Sequence, residues 1–153
     1  MSQLPNLCSH IQNSFRSRLL RISIPQTKMN LAVVNVLYEQ GFIASVARGN
    51  KQSPDATYVP TTNANISTRR YWLELKYREN QPVLSQMKVI SKPSRHVTAT
   101  VQQLRGLVAG QQQGIVKPAL PGEIIVVATS KGVLEVNDAI RQNVGGKLLC
   151  RVR

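Results

Sequence analysis

Leu4, Leu7, Cys8, Ile11, Phe15 and Leu19 recur at spacings of three and four, which predicts a helix over residues 5–17 with one buried face. Leu20, Ile22 and Ile24 then alternate with Arg21 and Ser23, the period of a half-buried strand, and Pro25 ends it. Thr27 is placed to cap a second helix whose apolar face is Met29, Ala32, Val33, Val36 and Leu37, with Gly41 as its stop. Phe42 to Arg48 resumes as a strand. Residues 49–68 are rich in Gly, Asn, Pro and Thr and read as a long hairpin loop. Tyr71, Leu73, Leu75 and Tyr77 alternate with Trp72, Glu74 and Lys76, which predicts a strand over 70–78. A small sheet covered by two helices on one face satisfies this order.

Asn80, Gln81 and Pro82 mark a junction. Val83 to Ile90 is strand-like, and Lys92-Pro93-Ser94-Arg95 interrupts it. Val101 to Val108 reads as a short helix with Leu104, Leu107 and Val108 on one face, and 110–122 as a Gly-, Gln- and Pro-rich loop. Glu123 to Thr129 is apolar and β-branched, hence an interior strand. Glu135 to Asn143 reads as a short helix and Lys147 to Val152 as a closing strand. No internal repeat is visible. The expected fold class is α+β in two small domains. Residues 1–80 form a helix-strand-helix-strand-strand unit, and 83–153 a mostly β unit with short helices.

Charge changes the picture more than any other bulk property. The chain has 153 residues, 20 Lys+Arg against 7 Asp+Glu, and a formal net charge of +13. A hydrophobic fraction of 42% supports a packed core. Such a charge points to a polyanion partner, nucleic acid before a membrane surface, because no single helix joins a basic face to a large apolar one. No run of about 18 apolar residues is present, so no membrane span is expected. Cys8 and Cys150 lie near opposite ends, outside any Cys/His ligand spacing. They read as reduced, partly buried thiols in a non-oxidising compartment, with no metal and no cofactor. No acid precedes Glu39, and Ser17-Arg18-Leu19-Leu20-Arg21 has the composition of a mitochondrial targeting segment. A helix of a basic domain that lacks acids reads the same way.

An enzyme is not expected. The seven acids are scattered, neither histidine has an acid beside it, and no GxSxG, P-loop, HExxH or GxGxxG occurs. Ser130 has no evident base, and Lys131 beside it on a strand would point to the opposite face unless a turn intervenes. No catalytic residue and no small-molecule substrate follow. A binding role fits better. Thr129 and Ser130 offer short hydroxyls, Lys131 a point charge and Gly132 a turn that lets amides face an anion. Gly145 and Gly146 offer the same freedom before the last strand. Hydroxyls and amides suit the 2′-OH and sugar edge of an RNA minor groove, while a polar hairpin tip without a partner reads identically. Ser91-Lys92-Pro93-Ser94-Arg95-His96 is a second basic turn, able to reach phosphates or simply to connect. Thr27 and Lys28, at a helix start, suit a phosphate or a plain cap. Trp72, Tyr71 and Tyr77 alternate as a sheet face does, so a stacking platform is not expected there.

These segments line up with a known family. Ala128-Thr129-Ser130-Lys131-Gly132-Val133, Asp138-Ala139-Ile140-Arg141, Gly145-Gly146 and the ending Leu149-Cys150-Arg151-Val152 resemble the C-terminus of the bacterial-type small-subunit ribosomal protein number eight. Ser91-Lys92-Pro93 with Arg95 is similar to its Ser-Lys-Pro-Gly-Arg turn. Ile24-Pro25 with Lys28, Gly41-Phe42-Ile43, and Ile11 with Asn13 match upstream. The resemblance spans nearly the whole chain.

It implies a two-domain α/β protein that binds the central domain of small-subunit rRNA early in assembly, beside neighbouring small-subunit proteins. By position it implies RNA contacts at Thr129, Ser130, Lys131, Gly132, Gly145 and Gly146, and on the turns carrying Thr27, Lys28, Ser91, Lys92 and Arg95. Some positions depart. His10 and Gln12 stand where the family's first helix carries arginines, Lys147 where Glu commonly follows the Gly pair, and Ser94 where Gly is usual. The 49–68 and 110–122 loops are longer than in bacterial relatives. Long loops and an acid-free start point to a mitochondrial member, a fungal one among the options, whose N-terminal helix doubles as an uncleaved import signal. The alternatives are a bacterial cytoplasmic ribosome, or a free RNA-binding protein that represses translation.

Overall fold

The computed structural model describes residues 3–153. In chain order the elements are α1 (Gln3–Arg16), β1 (Arg21–Pro25), α2 (Lys28–Glu39), β2 (Ile43–Gly49) and β3 (Arg70–Leu75). Then come β4 (Tyr77–Arg78), β5 (Gln81–Pro82), β6 (Met87–Val89), β7 (Thr98–Ala99) and α3 (Val101–Val108). The last are β8 (Ile124–Thr129), β9 (Gly132–Glu135), α4 (Val136–Arg141) and β10 (Gly146–Val152). The fold class is α+β. The chain groups into two compact units: Asn13–Leu84, and Ser85–Arg153 together with the chain through Gln12. The second grouping differs from a boundary drawn only near residue 80. The Gln12 side-chain oxygen accepts from the Met87 amide at 3.3 Å, and Cys8 lies against Cys150.

In the Asn13–Leu84 unit, β3 is the middle strand of an antiparallel sheet, order β1-β3-β2. Ile22 sits opposite Leu73 and Ile24 opposite Tyr71, so alternation puts these four side chains on one buried face. Helix α2 buries Val33, Val34, Val36 and Leu37, each stabilising by roughly 1.5–3 kcal/mol. Its ends follow the sequence. The Thr27 hydroxyl accepts from the Asn30 amide at 3.1 Å. At the other end Gly41 takes φ 82°, so that Phe42 N–H reaches Leu37 O at 2.9 Å and Gly41 N–H reaches Tyr38 O at 3.0 Å.

The expected strand over 70–78 breaks at Lys76. Tyr77–Arg78 instead folds against Gln81–Pro82 through Glu79 and Asn80, at φ 50° and 61°. Two successive positive φ values form the tight turn that suits strand twist, so the supposed junction is a hairpin. Trp72 donates to Asn50 O at 2.8 Å and the Tyr77 hydroxyl to Leu19 O at 2.7 Å. These aromatics serve the fold. The 49–68 loop closes on Arg69, whose side chain is 1% exposed. Its guanidinium donates to Asp55, to Asn50 Oδ1 at 3.2 Å and to Val59 O at 3.4 Å.

In the other unit, β10 closes the chain, as expected, and is also the central strand of the sheet. β8 pairs along one edge, while β7 and β6 pair with the start and end of the opposite edge. Only Met87–Val89 of the expected strand 83–90 pairs in this sheet. β9, not foreseen, extends it by pairing with β8. Helix α3 opens on a capping box: the Thr100 hydroxyl accepts from Gln103 N–H, and the Gln103 side chain accepts from Thr100 N–H. Leu104 and Leu107 are buried against Ile125, Val127, Val136 and Leu148, but Val108 is exposed. Cys8 and Cys150 are free thiols, both fully buried. The Cys8 side chain and burial push the Cys150 thiol well above its ordinary pKa.

Candidate nucleic-acid interface

Thr129 ends β8, with Gly132 of β9 on one side and Gly146 of β10 on the other. Ser130 and Lys131 form the tip between. The Thr129 hydroxyl donates to Gly132 O at 2.8 Å and accepts from Lys131 N–H at 3.2 Å, which stitches the turn from within. Gly132 takes φ 112°, a conformation that L side chains rarely adopt. Ser130, Lys131 and Gly132 are exposed. The Lys131 ammonium donates to Gln142 O at 3.3 Å, at the C-terminal end of α4, where a cation is favoured. Lys131 is therefore directed to Gln142, away from a dyad with Ser130.

Gly145 and Gly146 have a packing reason for lacking side chains. A Cβ on Gly146 would lie 2.1 Å from Ala128 O, and one on Gly145 would lie 2.6 Å from Ala99 O. Both approaches are to backbone, so neither neighbour can swing aside. The pair holds β10 tight between β8 and β7, and this fixes Thr129 and its turn.

The second basic turn is an excursion from the opposite edge of β10. The chain leaves where Ile90 N–H donates to Leu149 O and returns where Leu148 N–H donates to Val97 O, both at 2.9 Å. Ser91 closes the neck. Its hydroxyl accepts from Val97 N–H at 2.9 Å and donates to Val97 O at 3.2 Å, and the residue is 4% exposed. Beyond it Lys92 and Arg95 exchange backbone hydrogen bonds at 3.0 Å, with Pro93-Ser94 at the tip. Lys92, Ser94 and Arg95 are exposed, and neither cation joins an ion pair among the described residues.

Thr27 and Lys28 belong to the Asn13–Leu84 unit. There the Thr27 hydroxyl is engaged as a cap, and Lys28 is exposed on the first turn of α2. Three of the hydroxyls singled out in sequence, Thr27, Ser91 and Thr129, thus build turns. Ser130 is the one left open. The Gln142 carbonyl that tethers Lys131 carries no sequence signal, because any residue supplies it.

The acids explain why the basic surface stays basic. Five of the seven are engaged by partners in the fold, three of them largely buried and two, Glu74 and Asp138, in exposed pairs. Asp55 pairs with Arg69 and Glu123 with Arg151. Glu74 pairs with Arg21 at 3.7 Å and Asp138 with Arg141 at 3.2 Å. Glu135 caps α4 by accepting from Asn137 N–H at 2.8 Å. Burial raises the Glu135 pKa against the hydrogen bonds from Asn137, which lower it. Burial also pushes Glu123 up, but hydrogen bonds from Arg151 and Leu120 N–H, with the charges of Arg151 and Arg153, leave its pKa lowered. Among the described residues no group of three or more His, Cys, Asp or Glu could hold a metal, and no helix is long and apolar enough to cross a membrane.

A small basic α+β chain with most of its acids paired or capping and its cations on exposed stitched turns is of the kind found among ribosomal proteins. Comparison with known proteins makes this specific. The chain belongs to the ribosomal protein S8 family, whose sequence profile matches residues 2–153. It is 45% identical over 159 residues to the small ribosomal subunit protein uS8m of Neurospora crassa, covering 100% of this chain and 99% of that protein. It is 42% identical over 151 residues to uS8m of Schizosaccharomyces pombe, covering 99% of each. The bacterial uS8 of Ruegeria pomeroyi is 31% identical over 147 residues, covering 96% of this chain and 95% of that protein.

Proposed function

We propose that this chain is a structural component of a mitochondrial small ribosomal subunit that binds the central domain of its rRNA and has no catalytic role. The β8–β9 turn carries the reading. Its hydroxyl stitch, its glycine and the packed Gly145-Gly146 pair hold Ser130, Lys131 and the backbone of Gly132 outward in one preformed shape. A preformed polar tip loses little conformational freedom on binding, so its contacts count nearly in full. Ser130 supplies a hydrogen bond to a sugar edge, and Lys131 a charge to phosphate. Lys92, Arg95 and Lys28 add phosphate contacts, while Thr27, Ser91, Thr129, Gly145 and Gly146 act by shaping the backbone that meets the RNA. Neighbouring small-subunit proteins complete the setting.

The organelle follows from the order of similarity: two fungal relatives named uS8m stand at 42% and 45%, a bacterial uS8 at 31%. Fractionation of tagged protein on a gradient tests the whole reading. Cosedimentation with the mitochondrial small subunit is the expected result. Migration with cytosolic ribosomes would reject the organelle, and migration as a free protein would favour a translational repressor.

A further inference from the structure

The 49–68 loop presents one large aromatic to solvent. Tyr58 is 80% exposed. It is nevertheless not on a loose segment. Three residues before it Asp55 accepts from the buried Arg69 guanidinium, and one residue after it Val59 O accepts from the same group at 3.4 Å. Asp55 N–H also donates to Arg48 O at 2.9 Å. Arg48 in turn donates to Thr61 Oγ1 at 2.6 Å and lies with its guanidinium carbon 5.3 Å from the centre of the Tyr58 ring. The ring is thus fixed from both chain directions and backed on one face by a cation. Most of the remaining ring surface is open.

A buried ion pair is a weak source of stability, and fixing position is the use best attested for it. What is fixed here is an aromatic face beside arginines in a chain of net charge +13. Unpaired RNA bases stack on such faces, and a guanidinium on the far side adds to the attraction. We propose that Tyr58, backed by Arg48, is a stacking platform for one unpaired base of the small-subunit rRNA. The site rests on the rRNA-binding role proposed above and adds a contact outside the C-terminal turns. It reads base surface, not phosphate.

Titration of the full chain with a transcript of mitochondrial small-subunit rRNA tests this, using wild type, Tyr58→Phe and Tyr58→Ala. One stacked base corresponds to about five- to 150-fold in affinity. Tyr58→Ala should weaken binding within that range, with unchanged thermal unfolding because the ring is exposed. Tyr58→Phe should bind as wild type does. The slope of log affinity against log salt should stay the same in both variants, because every phosphate contact is kept. Ultraviolet crosslinking should join Tyr58 to a nucleotide. Equal affinity of wild type and Tyr58→Ala would overturn the stacking site and leave the rRNA role standing. Equal RNA affinity with weaker cosedimentation of Tyr58→Ala would overturn it in favour of a protein contact. No RNA binding by wild type would overturn both.

Discussion

The 91–97 and 129–132 turns are built by the same device at different depths. In each, one hydroxyl at the neck bonds to the backbone, one serine stands at the tip, and a cation stands beside it. Ser91 is buried, so its two bonds to Val97 are shielded from water. Thr129 is half-buried, and Lys131 beyond it makes a solvent-exposed tether to the end of α4 that adds little to stability. Lys92 and Arg95 have no such tether. The difference teaches that sequence motifs of one composition divide into residues that shape a surface and residues that stay exposed on it. Depth in the sheet decides which is which.

Substitutions can break this comparison, beginning with the largest effect. Gly146→Ala places a methyl against the Ala128 carbonyl at the base of the 129–132 turn. It should cost about 3 kcal/mol or more in denaturant unfolding. The next effect lies toward the far end of β10. Glu123→Gln leaves the half-buried Arg151 without a charged partner, an expected loss of about 2–3 kcal/mol at neutral pH. Glu123 has a lowered folded pKa, so its contribution is present above its unfolded pKa and disappears as pH falls through the folded one. Unfolding measured across the acid range should lose this component in Glu123→Gln.

Smaller effects separate the two necks. Ser91→Ala strands the Val97 amide and should cost about 1–2 kcal/mol. Thr129→Ala, whose amide partner can reach water, should cost under about 1 kcal/mol. The reverse ranking would contradict the role given to depth. Smallest in stability is Lys92→Ala with Arg95→Ala, which should leave unfolding unchanged. In RNA titrations it should reduce the salt slope by roughly 0.9 for each phosphate that is no longer neutralised.

Much of the fold was legible because the local signals agreed with the packing. The α2 cap at Thr27 and its stop at Gly41 needed only a hydroxyl before an apolar period and a glycine after it. The strand at Tyr71, Leu73 and Leu75 needed only alternation. The Glu79-Asn80 turn escaped because both residues are ordinary until a tight hairpin forces positive φ. β9 escaped because Val133 and Leu134 are too few to show a period. The central place of β10 escaped because its pairing on both sides comes from β6, β7 and β8, which are distant in sequence. At the candidate site, residue types pointed to turns, and turns stand there, but burial of Ser91 and the backbone approach at Gly146 are properties of the packed sheet. The loop clamp on Arg69 was invisible, since an arginine at a strand start reads as surface charge.

Rank of the tip against the neck is tested most directly by Ser130→Ala with Lys131→Ala, measured for rRNA affinity and thermal unfolding on the same preparation. Clearly weaker RNA binding, a shallower salt dependence and an unchanged unfolding midpoint are the expected results. Unchanged affinity, or a fall in the midpoint that matches the weakening of binding, would contradict the division of labour between tip and neck.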